Sequence, residues 1–148
     1  MTKENKLQYN LVLWFSQKFP EYRGLLFEVN NSVKGGMGDY NTRLAMGMIA
    51  GASDLAFICP NDGRFAPIEL KAPWSRHEVH KIKRQLWFGD NIIKHGGFFL
   101  ITSDLEKAKN YITALIKHDF TKASTIQAEC YDYMFNKVEK ATTKTIKI

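Results

Sequence analysis

Within Ile68-Glu69-Leu70-Lys71 an acid and an amine stand two positions apart, and residues two apart share a face of a strand. Ile68 and Leu70 then suit a sheet face packed on a helix, while Glu69 and Lys71 need another explanation. Asp62-Gly63 lies between two β-prone runs, residues 54–59 and 65–71, which is a strong short-range hairpin signal. With Asp62-Gly63 as a two-residue turn, Asn61 pairs with Arg64, Ala56 faces Glu69 and Asp54 faces Lys71. Asp54, Glu69 and Lys71 then share one face, with the two carboxylates as diagonal neighbours. A loop of the other parity sends Asp54 to the opposite face, so the arrangement depends on register. Crowded carboxylates repel one another, and protonation, a cation or separation relieves this. Lys71 could neutralise one of them. A hard divalent cation would do more: Mg²⁺ binds through one or two carboxylates and keeps its other positions for water and phosphate. Such an ion lowers the pKa of bound water and offsets charge growing on a phosphate, and a neighbouring lysine can orient the nucleophile. The plainer alternative is a surface salt bridge on an ordinary hairpin. Ile68, Leu70, Ala72 and Pro73 weigh against it by making the strand read as central.

The elements that must position these groups are legible around them. Leu7, Leu11, Trp14 and Phe15 form one apolar stripe, so residues 3–18 read as a helix ended by Pro20. Residues 25–30 read as a strand. Five glycines, at 35, 36, 38, 47 and 51, mark residues 31–51 as a mobile loop with at most a helical turn over 41–48. Ser75-Arg76-His77-Glu78 has the form of a capping box. It opens a helix to about His95, with Val79, Ile82, Leu86 and Ile93 on its buried face. Residues 98–102 read as a buried strand, and Ser103-Asp104-Leu105-Glu106 as a second capping box opening a helix to about His118. A further helix covers 124–138, and residues 141–148 are left as a tail or an edge strand. The order is that of an α/β domain with a mixed sheet flanked by helices. No repeat or second-domain boundary is visible, so residues 1–148 read as one domain, with a core over about 4–118 and a C-terminal helix and tail over 119–148.

Taken in order, Gly47-Met48-Ile49-Ala50-Gly51-Ala52-Ser53-Asp54-Leu55, Ile68-Glu69-Leu70-Lys71 and Gln85-Leu86-Trp87 resemble the virus-type replication-repair nuclease (VRR-NUC) family of the PD-(D/E)xK superfamily. The resemblance covers residues 4–115. It implies a restriction-endonuclease-like core and a Mg²⁺- or Mn²⁺-dependent DNA endonuclease, selective for branched or flapped DNA, that leaves a 5′-phosphate and a 3′-hydroxyl. Asp54 and Glu69 would be metal ligands, with the backbone carbonyl of Leu70 as the third. Lys71 would position or activate water, and Gln85 would support the site. Glu4, one helical turn from Gln8, matches an acid of the family's first helix, and Asn30 or Asn31 matches an asparagine after the first strand. Ser53 replaces the usual proline before the aspartate, and residues 32–40 form an insert without a counterpart. Family members often act as homodimers.

The charge balance agrees with a polyanionic partner. Lys and Arg number 21 against 15 Asp and Glu, a net charge of +6, and the pI is about 9.3. Arg76, His77, Lys81, Lys83 and Arg84 form a basic cluster just after the hairpin. It is either a solvated helix face or a set of phosphate contacts flanking the cleaved strand. Glu28 reads as a polar residue at the site rim rather than a further ligand. Gly35, Gly36 and Gly38 lack the lysine and hydroxyl of a phosphate loop. His77 and His80 lack the companions a zinc site needs, and Trp74 and Trp87 read as packing rather than base-stacking residues. Two cysteines, Cys59 and Cys130, are too few for a disulfide scaffold. Cys59 reads as a buried strand residue. No apolar run nears the ~20 residues that cross a bilayer, and Glu4, Asn5, Gln8 and Asn10 interrupt any leader-like segment. The expectation is a soluble cytoplasmic protein of a bacterial or phage-infected cell, with no membrane partner. Two rivals remain: a non-catalytic DNA-binding module on a nuclease scaffold, and a structural or interaction domain.

Overall fold

A computed structural model describes residues 1–30 and 35–146, with side chains to residue 143. The first helix, α1 (Lys3–Lys18), begins where Thr2 Oγ1 accepts a hydrogen bond from the Asn5 N–H at 3.1 Å, and it buries Leu11 and Phe15. It ends before Pro20, as the sequence predicts. Strand β1 (Leu26–Glu28) follows, then α2 (Met37–Ala45), β2 (Leu55–Phe57), β3 (Ile68–Leu70), α3 (Val79–Lys94), β4 (Leu100–Thr102), α4 (Leu105–Ile116) and α5 (Phe120–Ile146). The strands form one mixed sheet in the order β1-β2-β3-β4, with β3 and β4 parallel and the other pairs antiparallel.

Helices cover both faces of this sheet. On one face Leu55, Phe57, Ile68, Leu70 and Leu100 pack with Leu11 and Phe15 of α1 and with Tyr111, Ile112 and Leu115 of α4. On the other, Phe99 and Ile101 pack with Ile82 and Leu86 of α3 and Met134 and Val138 of α5. Because β3 is central, every residue from Ile68 to Leu70 is buried, and the alternation of side chains forces Glu69 inside with its apolar neighbours. The α3 side is closely fitted: Gly89 lies against the Phe99 ring, leaving no room for a β-carbon. Gly89→Ala is therefore expected to lower stability by about 1–3 kcal/mol, measured as a lower midpoint in denaturant with an unchanged slope.

Several sequence expectations need correction. The hairpin loop is wider than two residues: the Cys59 N–H donates to Arg64 O at 2.9 Å, Asn61 and Gly63 both take positive φ, and Leu55 pairs with Ile68. The ladder is thus displaced by two residues, which puts Asp54 level with Glu69 instead of Lys71. Two is an even number, so all three side chains keep their common face. Ser75 makes no cap, and a 3₁₀ turn over Arg76–Glu78 precedes α3. At the second capping box the cap is Asp104 rather than Ser103, its Oδ1 accepting from the N–H groups of Glu106 and Lys107. The glycine-rich stretch contains the nine-residue α2. The C-terminal helix begins at Phe120 and continues to Ile146, through most of the stretch left as tail or edge strand. Asn31, the insert positions 32–34 and residues 147–148 lie outside the described residues. Among the described residues no helix is long and apolar enough to cross a membrane.

Candidate active site

At the end of the sheet where β3 runs out, four elements converge. The β3 strand supplies Glu69 and, just beyond it, Lys71, both only 2% exposed. Asp54 precedes β2 and is exposed at the rim; its carbonyl accepts from the Val29 N–H at 2.7 Å, which ties it to the end of β1. Helix α3 turns Gln85 inward, and its Nε2 donates to Glu69 Oε1 at 3.0 Å. Helix α1 brings Glu4, whose Oε1 lies 3.3 Å from Lys71 Nζ and accepts from the Ala72 N–H at 3.2 Å. The five residues the sequence singles out for this site (Asp54, Glu69, Lys71, Gln85 and Glu4) are therefore gathered in one corner.

The electrostatics here are costly for the apoprotein. Glu69 is pushed up to about 8 by burial and by the Asp54 charge, with Lys71 and the approach of the Asp54 main-chain N–H opposing. Asp54 is also raised, first by the protein packed around it; Lys81 pulls it down, Glu4 pushes it up, Lys71 lowers it and Glu28 raises it. Glu69 Oε2 is buried without a hydrogen-bond partner. A buried carboxyl oxygen without a partner beside a second acid is costly, and a cation held there would relieve the cost.

The main chain adds to the donor set. The Lys71 N–H points to β4, donating to Thr102 O at 2.9 Å, so the backbone groups of the adjacent Leu70 face the β2 side. In the register set by Leu55 and Ile68, Leu70 lies opposite Ser53, one residue before Asp54. Two carboxylates and a carbonyl are all hard oxygen donors, suited to Mg²⁺ or Mn²⁺.

The basic cluster is divided. Lys81 and Arg84 line a cavity of about 370 Å³ with Asp54, Gln85 and Tyr40. Lys83 stands on the outer side of α3, beside Arg84 and Trp87. Arg76 belongs elsewhere, in a groove with Trp74, Lys137 and Lys140 of α5. His77 is exposed and nothing links it to the carboxylates. Trp74 packs against the α3–α5 core as expected, whereas Trp87 is 60% exposed, against its reading as a packing residue. Glu28 is exposed, with its Oε1 accepting from Gln8 Nε2 at 3.4 Å, and it reaches the site only through its charge on Asp54.

Sequence reasoning missed Glu78, whose Oε2 lies 4.0 Å from Lys71 Nζ. It was read as the last residue of a capping box; the signal available was an acid seven residues after a buried lysine. A second missed group is remote from this corner. Cys59, Asp62 and His118 place ligand atoms within 4.8 Å of one another. Arg64 already neutralises Asp62 at 2.9 Å, and His118 Nε2 lies 2.8 Å from Pro60 O. Burial, with help from Asp62, pushes the Cys59 thiol up to about 11, so this group is a hydrogen-bonded turn.

Comparison with protein-family profiles, with curated proteins and with solved structures finds no match for this chain.

Proposed function

We propose that this protein is a metal-dependent DNA endonuclease with a restriction-endonuclease-like core, of the VRR-NUC type within the PD-(D/E)xK superfamily. The observation that carries the reading is the buried, bare Oε2 of Glu69 beside Asp54 and Lys71. Asp54, Glu69 and the Leu70 carbonyl would hold Mg²⁺ or Mn²⁺. When bound, the cation supplies positive charge that favours ionisation of water and offsets charge on the phosphate.

The chain's own groups do the rest. Gln85 fixes Glu69 Oε1 and leaves Oε2 for the cation. Glu4 and Glu78 flank the buried Lys71 ammonium, which would orient the attacking water toward phosphorus. A phosphorus–oxygen bond forms to water as the bond to the 3′ oxygen breaks. That oxygen leaves as a hydroxyl, and the phosphate stays on the 5′ side. Lys81 and Arg84 contact flanking phosphates.

The rival reading, a DNA-binding module without chemistry, explains the basic cavity but not the buried acid and lysine. Cleavage of linear, flapped and four-way DNA with Mg²⁺, Mn²⁺ or EDTA separates the two. The proposal requires cleavage with either metal and none with EDTA; salt-dependent binding without cleavage favours the rival. Gln85→Ala should lower the rate on the order of 10–100-fold and raise the Mg²⁺ concentration for half-maximal rate, with DNA affinity unchanged.

A further inference from the structure

The chemistry at Asp54 leaves the surface between α2 and α3 unexplained. Helix α2 buries none of its side chains, although Met37, Tyr40 and Leu44 fall on one side of it. A helix of nine residues is too short to be stable in water without a partner. On α3, His80, Lys83, Arg84 and Trp87 form an outward stripe at helical spacing, all exposed. Leu44, Ile49 and Trp87 wall a groove of about 430 Å³ that Lys83 and Arg84 flank. Met48, Ile49, Ala50 and Arg84 line both this groove and the Asp54 cavity. The two hollows adjoin across these shared residues and together make a trough, charged on the Asp54 side and apolar on the Trp87 side.

This trough is built into the fold. A β-carbon on Gly51 would lie 2.6 Å from the Arg84 backbone, so the loop before Asp54 rests directly on α3. Its charge is divided: Lys81 lies within reach of the Asp54 charge, Lys83 and Arg84 flank the apolar part, and Asp90, a turn beyond Trp87, is paired with Lys94 at 3.2 Å. An apolar protein surface would leave these cations without partners. A polyanion carrying flat rings satisfies both halves.

We propose that the trough is a base-stacking subsite. The nucleotide beside the attacked phosphate lies unpaired, with its backbone along Arg84 and Lys83 and its base on the Trp87 indole. This rests on the nuclease reading for the position of the phosphate and goes beyond it in naming the substrate feature: at least one unpaired base next to the cut.

The test measures binding of the full chain, with Ca²⁺ in place of Mg²⁺, to a fluorescent single-stranded 12-mer, to its perfect duplex and to an abasic 12-mer. Trp87→Ala should weaken single-strand binding roughly tenfold or more, and Trp87→Phe much less. Wild type and Trp87→Ala should bind the abasic strand and the duplex equally. Trp87 is exposed, and far-UV dichroism checks that the variant is folded. Equal single-strand affinity for Trp87→Ala and wild type overturns the subsite, and if Mg²⁺-dependent cleavage persists the nuclease reading stands. A change in sedimentation mass on Trp87→Ala with DNA affinity unchanged assigns the groove to a protein contact and also overturns it. Loss of base-dependent binding in Trp87→Ala in a chain that cleaves nothing upholds the subsite while the nuclease reading fails.

Discussion

Asp54→Asn and Glu69→Gln are each expected to lower the proposed Mg²⁺-dependent cleavage on the order of a thousandfold or more while leaving the fold in place. Both replacements keep the size of the side chain and remove one negative charge. Asp54 is at the rim, so its replacement disturbs no packing. Glu69 is buried, but Gln85 Nε2 can still donate to the new amide oxygen in place of Oε1. Single-turnover cleavage of a DNA substrate across Mg²⁺ concentrations checks this, and saturating metal should not restore the rate. A variant that cleaves at the wild-type rate removes that carboxylate from the site.

Glu69→Gln should have the opposite effect on stability. With its folded pKa raised to about 8, Glu69 keeps a proton that the unfolded chain gives up near the ordinary value of 4.5. Between these two values the native state binds more protons than the unfolded one, so stability falls as pH rises and levels off above about 8. In EDTA at pH 8.5, Glu69→Gln is therefore expected to be more stable than wild type by on the order of 3–5 kcal/mol. That is a rise in midpoint of about 6–20 °C for a domain of this size. At pH 4.5 the difference should vanish. Mg²⁺ should close the gap from the other side, raising the wild-type midpoint more at pH 8 than at pH 5 and leaving Glu69→Gln unmoved. Thermal scans over pH with and without metal test all of this, and parallel pH curves for wild type and variant would contradict it. Activity and apoprotein stability thus depend on the same carboxylate with opposite signs.

How far the sequence leads depends on whether local or tertiary forces decide each feature. Helix α1 is read to its ends because one apolar stripe and Pro20 are local signals, and the structure adds the Thr2 cap at its start. The common face of Asp54, Glu69 and Lys71 survives a wrong loop because pleat parity ignores an even displacement. Glu4 meets Lys71 across 67 positions (71 − 4), and the family pattern, not local spacing, points to it. Ser75 and Glu78 look like a cap, but Glu78 turns toward Lys71, 4.0 Å away, and α3 starts later, after a 3₁₀ turn. The run 76–84 is mostly basic, yet the 3₁₀ turn before α3 and the helical period send Arg76 toward α5 and Lys81 toward Asp54. Trp87 sits next to buried Leu86, and only the rotation of α3 decides which of the two is exposed.

Gly47 and Gly51, both with positive φ, have different consequences for what lies on either side of them. Gly51 rivets the chain to α3 three residues before Asp54, while Gly47 meets nothing within 4 Å and leaves α2 free to be reset. Helix α2, which buries none of its side chains, can therefore change its surface without shifting the carboxylates, whereas Val29, whose N–H holds the Asp54 carbonyl, cannot be moved. If the proposed nuclease reading holds, the choice of which strand enters would drift separately from the ability to cut it.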